Sequence, residues 1–137
     1  MKTVDSLIRN EADGSLSFGD FTLAEKKKVS DFEHAGDLYK VKTFNEITKL
    51  EKNESFVYES VPGSAVFNFK ADAQDVTFDV AGAKDVQITL ELEPECEYEV
   101  LVGGLKLGRM QTNLGGKLSF SVDAHAEETT SVKVIKA

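Results

Sequence analysis

The sequence predicts an all-β protein: an antiparallel β-sandwich, jelly-roll-like, with roughly ten to twelve short strands and little helix. Three observations carry this. Apolar and polar residues alternate with period 2 over almost the whole chain. Turn residues recur every 8–12 residues or so, the spacing of short antiparallel strands. The length of 137 residues, 41% of them hydrophobic, suffices for one core and not for two ordinary ones, so residues 1–137 read as a single β-sandwich domain.

Leu16-Ser17-Phe18 and Phe21-Thr22-Leu23 read as short strands around Gly19-Asp20, a tight turn or bulge. Val4–Arg9 and Leu23–Val29 are the two places where a turn or two of helix fits. Gly36-Asp37 introduces Leu38–Phe44, with Tyr39, Val41 and Thr43 on one face. Ile47–Leu50 is short, and Asn53-Glu54 turns the chain into Phe56–Glu59. Pro62-Gly63 suits the centre of a type II turn, and Ala65–Phe69 follows. Val76–Val80 and Val86–Leu92 alternate without a slip until Pro94, which cannot donate to a ladder. Gly103-Gly104 reads as a two-residue hairpin turn between Tyr98–Val102 and Leu105–Met110. From there Thr112–Gly116, Leu118–Val122 and Val132–Ile135 read as a run of antiparallel hairpins, with Asn113 as a turn residue. Phe67, Phe69, Phe78, Val80, Ile88, Leu90, Val100, Phe120 and Val134 are the candidate core.

The net charge is −8, and it is uneven. Residues 1–50 hold 8 basic against 9 acidic side chains, and residues 51–137 hold 8 against 15. An acidic chain is a poor partner for phosphate backbones, so nucleic acid is not expected. No apolar run approaches the ~18 residues of a membrane-spanning segment, so no membrane insertion is expected. The N-terminal residues lack the apolar region of a signal peptide, and a cytoplasmic location is the default expectation, with export by another route left open.

Catalytic motifs are missing. No nucleophile elbow, P-loop or dinucleotide fingerprint occurs. His34 and His125 lie in polar, loop-like contexts with no metal-ligand spacing. Cys96 sits among Glu93, Glu95, Glu97 and Glu99, which disfavours a reactive thiolate. Asp72-Ala-Gln-Asp75 resembles a fragment of a calcium loop without the rest of that pattern; a structural calcium ion at a sandwich edge stays open. No catalytic residue, cofactor or metal is assigned, and an enzyme is not expected.

Two kinds of interaction residue stand out. Tyr39, Tyr58 and Tyr98 are the candidates for a glycan platform in a chain with no Trp, since aromatic faces are what carbohydrate-binding sandwiches present. Lys26, Lys27 and Lys28 form a basic run that also suits a guarded sheet edge. Glu91, Glu93, Glu95, Glu97 and Glu99 recur at period 2 and form a stripe, either a solvated face or a surface that meets the lysine run of a neighbouring copy. Joining different surfaces builds a ring or a filament.

Leu7–Lys26, Phe32–Thr43, Thr48–Asn53, Tyr58–Gly63 and Thr112–Val122 together resemble a family of small acidic proteins from gut-dwelling clostridia, often labelled "endosialidase". The resemblance implies a bacterial source and a small stand-alone protein; no catalytic residues carry over. A sialidase activity does not suit these residues. The chain is too short for a sialidase propeller, has only Arg9 and Arg109 to hold a substrate carboxylate, and has no Ser-x-Asp-x-Gly-x-x-Trp box. The leading expectation is a non-catalytic structural or protein-interaction sandwich that self-associates or docks on another protein. A carbohydrate-binding module is the alternative, and a glycoside hydrolase the remote one.

Overall fold

Alternating side chains give each strand one apolar face, and two such faces bury each other best as stacked sheets. The computed structural model describes residues 2–137 and shows this arrangement: 13 strands, no helix among the described residues, and two antiparallel sheets. The strands are β1 (Ile8–Asn10), β2 (Leu16–Phe18), β3 (Lys27–His34), β4 (Asp37–Thr43), β5 (Thr48–Lys52), β6 (Ser55–Val61) and β7 (Ala65–Ala71). They continue with β8 (Asp75–Ala81), β9 (Val86–Glu91), β10 (Glu97–Val102), β11 (Leu105–Gln111), β12 (Lys117–Val122) and β13 (Thr130–Lys136). One sheet has seven strands in the order β1-β2-β7-β8-β13-β10-β11. The other has six, in the order β12-β9-β6-β5-β4-β3.

Both inner faces feed one main core. The seven-stranded sheet supplies Phe18, Val66, Phe78, Val80, Val100 and Val134; the six-stranded sheet supplies Val41, Leu50, Tyr58, Ile88, Leu90 and Phe120. Phe18 and Tyr58 meet across the layers edge to face, with ring centroids 5.3 Å apart, a favoured aromatic geometry. The candidate core residues lie here with the exception of Phe67. Asn68 adopts a left-handed φ of 55° at a register shift between β7 and β8. The extra residue breaks the alternation, so Val66 and Phe69 point inward together, while Phe67 packs on a small second cluster around Phe21, Ala65 and Ala81.

Four local expectations are corrected. Val4–Arg9 and Leu23–Val29 are not helical; they lead into β1 and β3. Phe21-Thr22-Leu23 is a turn region instead of a strand, because Phe21 is drawn into the second cluster. The Val61–Pro62 peptide is cis and Gly63 has no positive φ, so the turn is not type II. What Gly63 supplies is room: a Cβ there would lie 1.9 Å from the Phe44 carbonyl oxygen. The C-terminal strands are not successive hairpins. Only β10–β11 is one, turning on Gly103 and Gly104 with φ of 59° and 84°. After it the chain changes sheets twice: β12 pairs with β9, and β13 lies between β8 and β10.

Candidate interaction surface

Burial disposes of most of the tyrosine platform. Tyr58 is fully buried, its ring against Phe18, Phe69 and Phe78. Its hydroxyl bonds Ser64 Oγ at 2.8 Å, and Ser64 Oγ bonds Ser60 Oγ at 2.6 Å. Desolvation pushes the Tyr58 pKa well up. A second seam joins Thr43 to Thr48 at 2.8 Å, and Thr48 Oγ1 donates to the Ser64 carbonyl at 2.9 Å. No buried side-chain polar atom among the described residues is left without a partner, so the seam reads as internal pinning of the Pro62-Gly63 turn. Tyr98 is also buried, and its hydroxyl oxygen accepts from the Glu93 amide at 3.2 Å. Only Tyr39 keeps part of its ring in solvent, edge to face with His34 at 5.5 Å. It borders a cleft of about 430 Å³ lined also by Asp37, Lys52 and Lys70. Period 2 places the three tyrosines on inner faces correctly but cannot tell that two lie under the opposite sheet.

The glutamate stripe is not continuous. Glu91 ends β9 on the six-stranded sheet, while Glu97 and Glu99 lie in β10 on the other. Between them the chain turns at Pro94-Glu95, where Glu95 has a φ of 52°, so the period-2 register is lost. The acids also meet cations of their own chain. Glu91 bonds Lys117 at 2.9 Å, Glu99 bonds Lys106 at 2.9 Å, Glu97 lies 3.8 Å from Arg109, and Glu93 bonds Lys136. Lys106 and Lys136 hold the Glu99 and Glu93 carboxyls below the usual carboxylate range. Four of the five glutamates thus meet a cation of their own chain, and the five do not form one face.

The lysine run behaves differently. β3 is the edge of the six-stranded sheet, as a guarded edge requires. Alternation splits the run: Lys27 stands opposite Thr43 and Lys28 opposite Lys42, so Lys28 points outward and Lys27 does not. Lys42 is in turn opposite Lys49 of β5, giving an outward row Lys28–Lys42–Lys49 across three neighbouring strands. Lys40 lies two residues along β4 on the same side, and Lys26 places its ammonium over the Phe44 ring, 5.8 Å from the centroid. The row continues onto Glu59, Thr89 and Ser119. Partial desolvation, then Lys26, Lys28, Lys49 and Lys40, lower the Lys42 pKa. None of these five lysines forms a salt bridge among the described residues, whereas Lys52, Lys70, Lys106, Lys117 and Lys136 all do. The sequence reading missed Lys40, Lys42 and Lys49. The Lys-Val-Lys repeat at 40–42 was the available signal, but joining it to β3 and β5 needs the strand register.

The remaining polar groups serve turns. Asn113 Oδ1 accepts from the Gly115 and Lys117 amides, each at 2.9 Å, which is the turn role its context predicts. Asp72 Oδ1 accepts from the amides of Gln74 at 2.8 Å and Asp75 at 2.9 Å, closing its own loop. Cys96 is half-buried, with Sγ 3.8 Å from Glu93 Oε2. His34 bonds Asn10 Oδ1 at 2.5 Å, and His125 lies 4.0 Å from Asp123. Among the described residues no three His, Cys, Asp or Glu side chains converge to hold a metal ion, and no helix is long and apolar enough to cross a membrane.

No family model, curated protein or solved structure matches this chain. The surfaces themselves are therefore what speaks to function.

Proposed function

We propose that the protein is a non-catalytic β-sandwich that works by docking other chains, a second copy of itself first, along the open edge β11. One observation carries this reading. Five large apolar side chains are prominently exposed among the described residues, and two of them, Leu105 and Leu107, lie in this edge strand, with a third, Leu114, in the turn that follows it. Leu105 is 74% exposed and Leu107 48%. β11 pairs with β10 alone, so its other row of backbone donors and acceptors faces outward, the template by which strands recruit strands.

Both edges of the six-stranded sheet are better guarded. β3 carries Lys27 and Lys28 and a bulge at Asp31, whose φ is 57°. β12 alternates its buried residues with Lys117, Ser119 and Ser121. β11 has Lys106 and Arg109, but Glu99 and Glu97 of β10 already neutralise them. The resemblance to small acidic clostridial proteins accords with an interaction module. A tyrosine platform for glycans rests on Tyr39 alone once Tyr58 and Tyr98 are buried. A hydrolase has no set of groups to argue from.

Light scattering over a range of protein concentrations tests the edge. The wild-type chain forms oligomers as concentration rises, and the Leu105→Lys/Leu107→Lys variant stays at the 15.0 kDa monomer mass. A wild-type chain that remains monomeric throughout, or a variant that associates as well as wild type, overturns the proposal.

A further inference from the structure

We infer that the outer face of the six-stranded sheet around Lys28, Lys42 and Lys49 binds an acidic polysaccharide, a linear glycan bearing carboxylates or sulfates at intervals. Neighbouring strands lie about 4.8 Å apart, so the three ammonium groups form a short line across β3, β4 and β5, flanked by Lys26 and Lys40. Like charges directly opposite one another on a sheet are destabilising. A chain with 24 acidic residues nonetheless pairs Arg9, Lys70, Lys106, Arg109 and Lys136 of its other sheet, Lys133 being the exception, and pairs Lys52 and Lys117 of this one, while these five form no salt bridge among the described residues. An external anion would supply the missing partner.

The rest of the face selects among polyanions. Continuing the row, Lys49 is followed by Glu59 and then by Thr89 and Ser119, whose hydroxyls bond each other at 2.8 Å. A uniformly charged phosphate backbone laid along the row would run onto Glu59. A glycan with charged and neutral positions can set its anionic groups over the lysines and its hydroxyls over Glu59 and the Thr-Ser pair. Beside Lys40 lies a groove of about 630 Å³, lined also by Ser30, Leu38 and Asn53 and by three carboxylates, Asp31, Glu51 and Glu54. Carboxylates accept hydrogen bonds from sugar hydroxyls, so this concave seat suits an uncharged part of the glycan while its anions lie over the lysines, and it is of no use to a flat lipid surface. Phe56, with the Lys49 and Lys117 ammonium groups 5.8 and 4.5 Å from its ring centroid, adds an aromatic edge. Lysine is a mobile point charge, unlike the rigid fork of arginine, and matches carboxylates or sulfates at variable positions. This face is distinct from the β11 edge and independent of it.

The test is titration calorimetry of the folded chain with polygalacturonate and with heparin as probes, beside single-stranded DNA and phosphatidylserine vesicles. Binding to one or both glycans is expected, weakening roughly tenfold or more between about 50 and 200 mM salt as counterion release requires. Lys28→Glu/Lys42→Glu/Lys49→Glu loses roughly a hundredfold in affinity. Lys2→Glu/Lys84→Glu/Lys133→Glu has the same net charge and stays within about twofold of wild type, because those lysines lie outside the face. Should the first variant misfold by circular dichroism, Lys28→Gln/Lys42→Gln/Lys49→Gln replaces it, with a smaller loss in the same direction. The Leu105→Lys/Leu107→Lys variant retains glycan binding. No binding of either glycan, equal loss in the two charge-matched variants, or tighter binding of DNA or vesicles than of the glycans overturns the inference.

Discussion

On the seven-stranded sheet Glu97 and Glu99 of β10 each meet a cation of β11, whereas on the six-stranded sheet Lys28, Lys42 and Lys49 lie side by side with no carboxylate bonded to them among the described residues. The inner faces show no such contrast. Phe18 from one sheet and Tyr58 from the other are equally buried and touch edge to face. Core burial constrains both sheets in the same way, since interiors tolerate neither voids nor unpaired polar atoms. Outer faces are free of that demand. An exposed ion pair is worth little to stability, so where a sheet leaves its charges unpaired, stability loses little and a surface for another molecule is gained.

The sharpest way to break this comparison is at the shared core. Phe18→Ala and Phe120→Ala, one on each sheet, are each expected to cost about 3–5 kcal/mol in urea unfolding. A cost below about 1 kcal/mol for either would show that the two inner faces are not equivalent. A smaller effect is expected from Tyr58→Phe. It keeps the ring contacts and removes the hydroxyl that bonds Ser64, costing about 1–2 kcal/mol; a neutral outcome would mean that Ser60 alone satisfies Ser64.

Acid titration separates regions by how their carboxylates are held. Ser17, and then Arg9, hold the Glu11 carboxyl below its ordinary value of 4.5. A depressed folded-state pKa contributes stability that is present above the unfolded value and is lost as pH falls through the folded one. The wild-type melting temperature therefore drops as pH falls below about 4.5. Glu11→Gln drops less steeply, and parallel curves would remove Glu11 from the account. The smallest effect tests the contrast itself. Lys42→Gln relieves repulsion within the lysine face and raises stability slightly, by no more than a few tenths of a kcal/mol after solvent screening. Lys106→Gln removes a cation that Glu99 uses and lowers it slightly. Shifts of the same sign would mean that the two outer faces do not differ in charge balance.

Much of the fold was legible in the chain. Period 2 identified most strands, and Gly103-Gly104 marked the one C-terminal hairpin. Misreadings fell where a local device interrupts the period: the left-handed Asn68 that turns Phe67 from the main core, and the turn at Pro94-Glu95 that splits the glutamates between sheets. Of the candidate site, Lys28 was legible as part of a basic run suited to a sheet edge, while its strand β3 began in a stretch read as helical, and Lys40, Lys42 and Lys49 were not joined to it. Tyr58 and Tyr98, platform candidates in a pattern that more often means core or rim, are core residues.

The sequence by itself determined which face of each strand is apolar, hence an antiparallel sandwich, because alternation along a pleated strand is a local property. Only the tertiary structure decided which strands are neighbours. Pairing partners are chosen across long stretches of chain by how two apolar faces close over each other. That choice sends β12 to β9, sets β13 between β8 and β10, and lines up Lys28, Lys42 and Lys49. No local pattern encodes a row that runs across three strands.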